Sequence, residues 1–308
     1  MIHDKSKRKI IKKIRSSDNL SVRKGILVNS LLVIVFVCFI FPIIWILIMS
    51  FKEQSQIASM PPDVFSSFTL NNYRNIFNIG AVSSDAAKNA LMHIKAIAFF
   101  KSILNTILLS TSSVLISLLI GVPAAYGLSR YKNKNKESLA FIFLSFRFVP
   151  ELIIIIPLYL IYQKMNLYGT YFGLIWVYIL ISLPMIIWIT RSYFDDLPFD
   201  LEQAAMLDGY SKWRVFFKVI LPLAKPGIAA ATVLSFIYAW NSFIFGFVLA
   251  TSRIQPVTVM ILSFYDITDL NYGRMAASII IAILPMIIVS QIASKYLISG
   301  LSMGAIKK

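Results

Sequence analysis

The sequence predicts an all-helical protein with six membrane spans, and three observations carry that expectation. Of 308 residues, 58% are hydrophobic and only 14% charged, with a mean hydropathy of +0.75, far from the balance of a soluble domain. Six apolar stretches, at about 26–50, 102–129, 138–163, 168–190, 224–250 and 276–298, each exceed the roughly 20 residues that cross a bilayer core. The basic residues cluster in the short segments between them. With the N-terminus inside, 21 of the 30 Lys/Arg fall in inner regions and 8 in outer ones, the asymmetry that sets orientation in a membrane. The net charge of +16 therefore reads as topology and not as a nucleic-acid surface.

Residues 1–25 form a basic cytoplasmic tail with nine Lys/Arg. The apolar run behind it is too long for a signal-peptide core and has no small-residue cleavage site, so it is read as an uncleaved first span. Its Cys38 is the single cysteine; no intrachain disulfide is possible, and a packing role is expected. Residues 51–100, with Pro61-Pro62 and the segment from Phe68 to Phe77, suggest short interfacial helices. The second span ends GVPAAYGLSRY (Gly121 to Tyr131), where small residues allow close helix contact and Pro123 can kink the helix.

The third span contains Arg147, about nine residues from its inner end and hence roughly 14 Å deep in a continuous helix. An arginine there faces a partner or a watery cavity. Glu151 follows four residues on, with Pro150 between. Arg147 either lines a translocation path, which would favour an acidic or phosphorylated solute, or pairs with Glu151 at a spacing that suits an ion pair. Aromatics in and between the third and fourth spans divide likewise. Tyr162, Tyr168 and Tyr171 sit where an interfacial belt would lie, while Tyr159, Trp176, Tyr178 and Trp188 are candidate solute contacts. In the fifth span Asn241, beside Trp240, is a polar path candidate or a helix–helix hydrogen-bonding group. The last span leads into a cytoplasmic tail, 299–308.

Between the fourth and fifth spans lies a polar, amphipathic loop, 195–223. From Pro198 it reads PFDLEQAAMLDGYSKWRVFFKVILPL. Pro198 sets up a helix start, Asp200 can cap, and Glu202 suits the positive end of the dipole. Leu201, Ala204, Ala205 and Asp208 recur at helical spacing until Gly209 ends the turn. A second short helix presents Trp213, Phe216, Phe217 and Ile220 on one face and stops at Pro222.

The run Gln203-Ala204-Ala205, with Gly209, Val219 and Leu221-Pro222 at fixed spacing, resembles the EAA loop of ABC importer permeases. Gln203 stands where the family usually has Glu, with Glu202 beside it, and Val219 where it usually has Ile. Further matches point to the binding-protein-dependent carbohydrate (maltose-type) branch. They are Leu70, Asn72, Tyr73, Arg74 and Phe77; Ala124 to Gly127 with Arg130; Trp240-Asn241; the segment Tyr272 to Pro285; and Gly300, Leu301, Gly304, Ala305 and Lys307.

That resemblance implies a type I importer permease with six transmembrane helices in the bacterial cytoplasmic membrane, both termini inside. It implies a cytoplasmic coupling helix in which Glu202, Gln203, Ala204, Ala205, Leu207, Asp208 and Gly209 meet an ATPase, braced against the spans by Trp213, Phe216 and Phe217. It also implies the partners: a second permease subunit in a hetero-dimer, two cytoplasmic ATPases holding ATP and Mg, and an external substrate-binding protein that meets the outer loops. The chain's own environment is membrane lipid. It has no GxxxxGK loop, and His3 and His93 lack spaced partners, so no catalytic residue, metal site or bound cofactor is expected. The solute is expected to be a sugar or oligosaccharide; a non-sugar solute of the same importer class, or an ion-coupled carrier, is the alternative reading. An ion-coupled carrier would need intramembrane carboxylates, and Glu151 is nearly alone; a membrane enzyme or sensor would need a polar cluster that the sequence lacks.

Overall fold

The computed structural model describes residues 28–61, 63, 67–77, 86–131, 135–264 and 271–304, and every regular element among them is helical. The basic tail 1–25 and the last matched positions, Ala305 and Lys307, lie outside the described residues. Among the described residues four helices are long and apolar enough to cross a membrane: α1 (Val28–Ser50), α4 (Ala86–Arg130, from His93), α7 (Tyr171–Asp196) and α14 (Tyr272–Gly304). Two bent pairs bring the number to six when each is taken as one span.

The third span is the first of these pairs. It is not the continuous helix expected over 138–163: α5 (Lys136–Ser145) runs into a 3-10 turn at Phe146–Phe148, and α6 (Glu151–Lys164) leaves at 90°. Pro150 is the cause. A residue before proline is pushed out of the helical region, and Val149 is accordingly extended at φ −73°, ψ 124°, as is Pro150 itself at φ −61°, ψ 128°. Arg147 thus lies at a break, where counting along a straight helix no longer gives its depth.

The second pair joins the loop helices to α11 (Lys225–Trp240), bent by 72° at Ala224. The fifth span was expected to reach 250, but α11 ends at Trp240. There the Ile237 carbonyl accepts from both the Asn241 backbone N–H at 3.1 Å and the Asn241 side-chain amide at 2.9 Å. The chain re-enters a helix as α12 (Ile244–Leu249), which packs on α6. Beyond it come α13 (Val257–Met260) and a 3-10 turn. The last helix continues through the start of the tail expected from 299.

The core is the contact of α4 with α7, with α11 against both and α14 against α11. Gly121 makes the first contact close: a Cβ there would lie 2.9 Å from Ile186 Cγ2 and 3.1 Å from Leu183 Cδ1. One apolar cluster fills each end of α7, around Leu174, Val177 and Tyr178 and around Ile186, Ile187 and Phe194. A third joins Phe99 of α4 to Trp240 and Ala277. Buried polar groups pin the loop after α12: Asn105 donates to the Gln255 carbonyl at 3.2 Å and accepts from Tyr171 at 2.8 Å, while the Val257 N–H donates to Thr106 Oγ1 at 2.8 Å.

α1 stands apart. Its apolar window is unburied by the other described residues, and Cys38 is exposed and not packed as expected. Its C-terminal end is fastened by α3 (Asn71–Phe77): Asn72 donates to the carbonyls of Ser50 at 2.9 Å and Lys52 at 2.8 Å, and the hydroxyls of Ser50 and Tyr73 are 2.7 Å apart. Of the stretch 51–100 expected to hold short helices, α2 (Gln54–Ile57) and α3 are short, but 86–100 form the first turns of α4, which starts well before the 102 expected for the second span.

Candidate functional site

The loop after α7 folds as α8 (Asp200–Leu207), then α9 (Lys212–Val215), a π-helical turn at Phe216–Ile220 and α10 (Leu221–Leu223). Asp200 does not cap α8. The chain is already helical at Phe199 (φ −64°, ψ −25°), so Asp200 becomes the first helical residue, and Asp200 and Glu202 both sit in the first turn. The other end closes on glycine. Gly209 takes φ +84°, its N–H bonds the Met206 carbonyl at 3.0 Å, and the Tyr210 N–H bonds the Ala205 carbonyl at 3.1 Å, the Schellman arrangement.

This geometry divides the expected coupling residues by face. Glu202 and Ala205 are buried, whereas Gln203, Ala204, Leu207, Asp208 and Gly209 are exposed, Leu207 at 89%. The aromatic face expected on the second helix is split. Val215, Phe216 and Ile220 are buried, while Trp213 and Phe217 stack on each other at the surface, with ring centroids 6.3 Å apart. The π-turn widens the winding at Phe216–Ile220 and shifts the helical phase. Phe216 alone of the three braces against the spans, 4.7 Å from the ring of Tyr126 in α4.

Beneath α8 lies a polar joint whose members the sequence displays without connecting. Glu202 forms an ion pair with Arg130, the last residue of α4, through Oε1. Its other oxygen, Oε2, accepts from Tyr126 at 2.8 Å. Arg130 also donates to the Leu197 carbonyl at 2.9 Å, where α7 ends. Next to it, Ser129 donates to Asp195 at 2.5 Å, and Arg191 reaches both Asp195 and Glu137 of α5. The signal was a lone arginine ending an apolar helix and a lone acid on the apolar side of α8.

A second polar cluster lies at the break between α5 and α6. Arg147 and Glu151 both line a cavity of about 390 Å³, with Phe143, Leu183 and Tyr238 among its walls. They meet through Tyr238, which donates to Glu151 Oε1 at 3.0 Å while its ring lies 5.0 Å from the Arg147 guanidinium carbon. Tyr238 was not foreseen. The signal was a phenol within an apolar span, which needs a partner for its hydroxyl. The other two path candidates do not line this cavity: Trp240 is buried against Phe236, and Asn241 is exposed and bonds its own helix. Among the tyrosines expected in an interfacial belt, Tyr162 is instead buried and donates to the Gly173 carbonyl at 2.9 Å, clamping α6 to α7.

The chain is similar to known proteins over most of its length. The family described as binding-protein-dependent transport system inner membrane component matches residues 117–302. The diacetylchitobiose uptake system permease protein of Streptomyces coelicolor is 29% identical, covering 97% of this chain and 93% of its own length. The trehalose transport system permease protein of Mycobacterium tuberculosis is 31% identical over 86% of this chain and 92% of its own. Among solved structures, a chain of a bacterial ABC transporter involved in the import of the acidic polysaccharide alginate superposes with a TM-score of 0.70 at 25% identity, covering 89% of this chain and 96% of that one.

Proposed function

The chain belongs to the family of binding-protein-dependent transport system inner membrane components, and on that footing we propose that it is the permease subunit of an ATP-driven importer that moves a sugar or oligosaccharide from an external binding protein into the cytoplasm. It is a transport component and not an enzyme; ATP and Mg belong to a separate ATPase. The observation that carries the reading is α8: a helix of two turns that exposes Leu207 at its tip and anchors itself inward through one buried acid. An exposed apolar tip on a rigidly held helix suits a socket on a partner. Gln203, Ala204, Leu207 and Asp208 meet the ATPase, and both termini lie on that side of the membrane. A second, different permease subunit completes the path.

Within the membrane, Arg147, Glu151 and Tyr238 are the groups that meet the solute. The guanidinium brings up to five donors and the carboxylate brings acceptors, and the two charges cancel. Such a cluster matches a hydroxyl-rich neutral sugar better than the acidic or phosphorylated one that Arg147 alone suggests. The experiment is a pull-down of the chain in mild detergent, wild type against Gly209→Pro or a deletion of 200–210. An ATPase recovered with the wild type and lost with the variants supports the importer reading. No ATPase with any of them overturns it and brings the ion-coupled carrier forward.

A further inference from the structure

We propose that Arg130 and Glu202 form the joint through which movement of the ATPase-docked α8 reaches α4 and the membrane cavity; the proposal rests on the importer reading above. Glu202 is held at both carboxylate oxygens, by Arg130 through Oε1 and by Tyr126 through Oε2. The two donors are four residues apart and so lie on one face of α4. Two grips on one group fix the orientation of α8 as well as its position, so α8 and the end of α4 move as one body. Withdrawing Glu202, only 3% exposed, would leave a buried carboxylate and a largely buried guanidinium unpaired, which opposes slippage at this contact. The covalent link from α7 is only Leu197-Pro198-Phe199, and Arg130 fastens that too through the Leu197 carbonyl.

From the joint, two routes of direct contact lead to the cavity. Along α4, Gly121 rests against Leu183, which lines it. Across the end of α4, Ser129, Asp195, Arg191 and Glu137 connect in turn to α5, whose Phe143 lines the same cavity. Arg130 and Glu202 are therefore positioning residues. They touch neither solute nor ATPase, and their effect is read as coupling.

The test uses the complex purified through a tag on this chain, with Cys38→Ser and a single reporter, Ile154→Cys, in the cavity wall. Maleimide labelling of the reporter is timed with and without ATP and Mg. In the wild-type background ATP changes the rate roughly fivefold or more, the usual reach of coupling between sites. In Arg130→Ala the ATPase still co-purifies but the ratio falls close to one, and the exchange Arg130→Glu with Glu202→Arg recovers part of it. Tyr126→Phe, which keeps the ring and the ion pair, lowers the ratio severalfold and reads the joint even where Arg130→Ala fails to assemble. A full ATP response in Arg130→Ala or in Tyr126→Phe, with ATPase bound, overturns the joint and leaves the importer reading standing. A wild-type complex with no ATPase overturns both.

Discussion

Tyr238 donates its phenolic hydrogen bond to Glu151 at 3.0 Å across the break between α5 and α6, and the same ring carries the guanidinium of Arg147 on its face. One residue of α11 thereby contacts both opposite charges of the third span, for which a direct ion pair was one of the two readings open from the sequence. The arrangement leaves Arg147 exposed on the cavity.

Replacing Arg147 with Ala is expected to abolish uptake of the transported sugar by the reconstituted importer while the complex still assembles. Tyr238→Phe keeps the ring beneath the guanidinium and removes one hydrogen bond to a charged acceptor, worth about 1.5–3 kcal/mol, so uptake should fall about tenfold or more. Normal uptake by Arg147→Ala would remove the cluster from the path.

Leu207 offers the sharpest test of the docking surface. At 89% exposed it contributes little to the stability of the chain, so Leu207→Glu should leave the thermal unfolding of the solubilised subunit unchanged. Recovery of the ATPase should nonetheless drop by about tenfold, as expected when a central apolar anchor is lost. Undiminished recovery would move the contact off α8.

Gly209 tests the turn behind it. A Cβ at this position meets nothing within 4 Å, so the penalty of substitution is that of the backbone alone, about 1–2 kcal/mol for a side chain held in the left-handed region. Gly209→Val should therefore lower the unfolding temperature, and Gly209→Asn should lower it less. Equal effects from the two would mean that something other than φ decides.

Tyr162→Phe should cost about 1 kcal/mol, the net value of a buried hydrogen bond, because the Gly173 carbonyl loses its phenolic donor. Thermal unfolding in detergent reads it. An unchanged midpoint would place Tyr162 back among the interfacial aromatics.

Hydropathy and spacing go a long way in this chain, and the places where they stop share a physical cause. Apolar length marked out the long helices because a bilayer demands it, though α4 starts before 102 and α11 stops at Trp240, and Gly209 announced its turn because only a residue tolerant of positive φ fits there. What periodicity could not carry was direction. The side chain of Glu202 turns inward and that of Gln203 outward, though they are adjacent acidic and amide residues on one short helix. The choice is made by Arg130, 72 residues earlier in the chain. Tyr238 escaped for the same reason, since its importance rests on two residues of another span. Pro150 was seen as a perturbation of a helix. Its restriction of Val149 made it a full break, and the 90° turn followed.

That break has a mechanical meaning. A straight span tilts as one lever, so moving either end moves both. Here α5 is tied to α7 at one end through Glu137 and Arg191, α6 is tied to α7 at the other through Tyr162 and Gly173, and no helical hydrogen bonding bridges Pro150. The third span is therefore held at two separate places, each half fastened to its own end of α7.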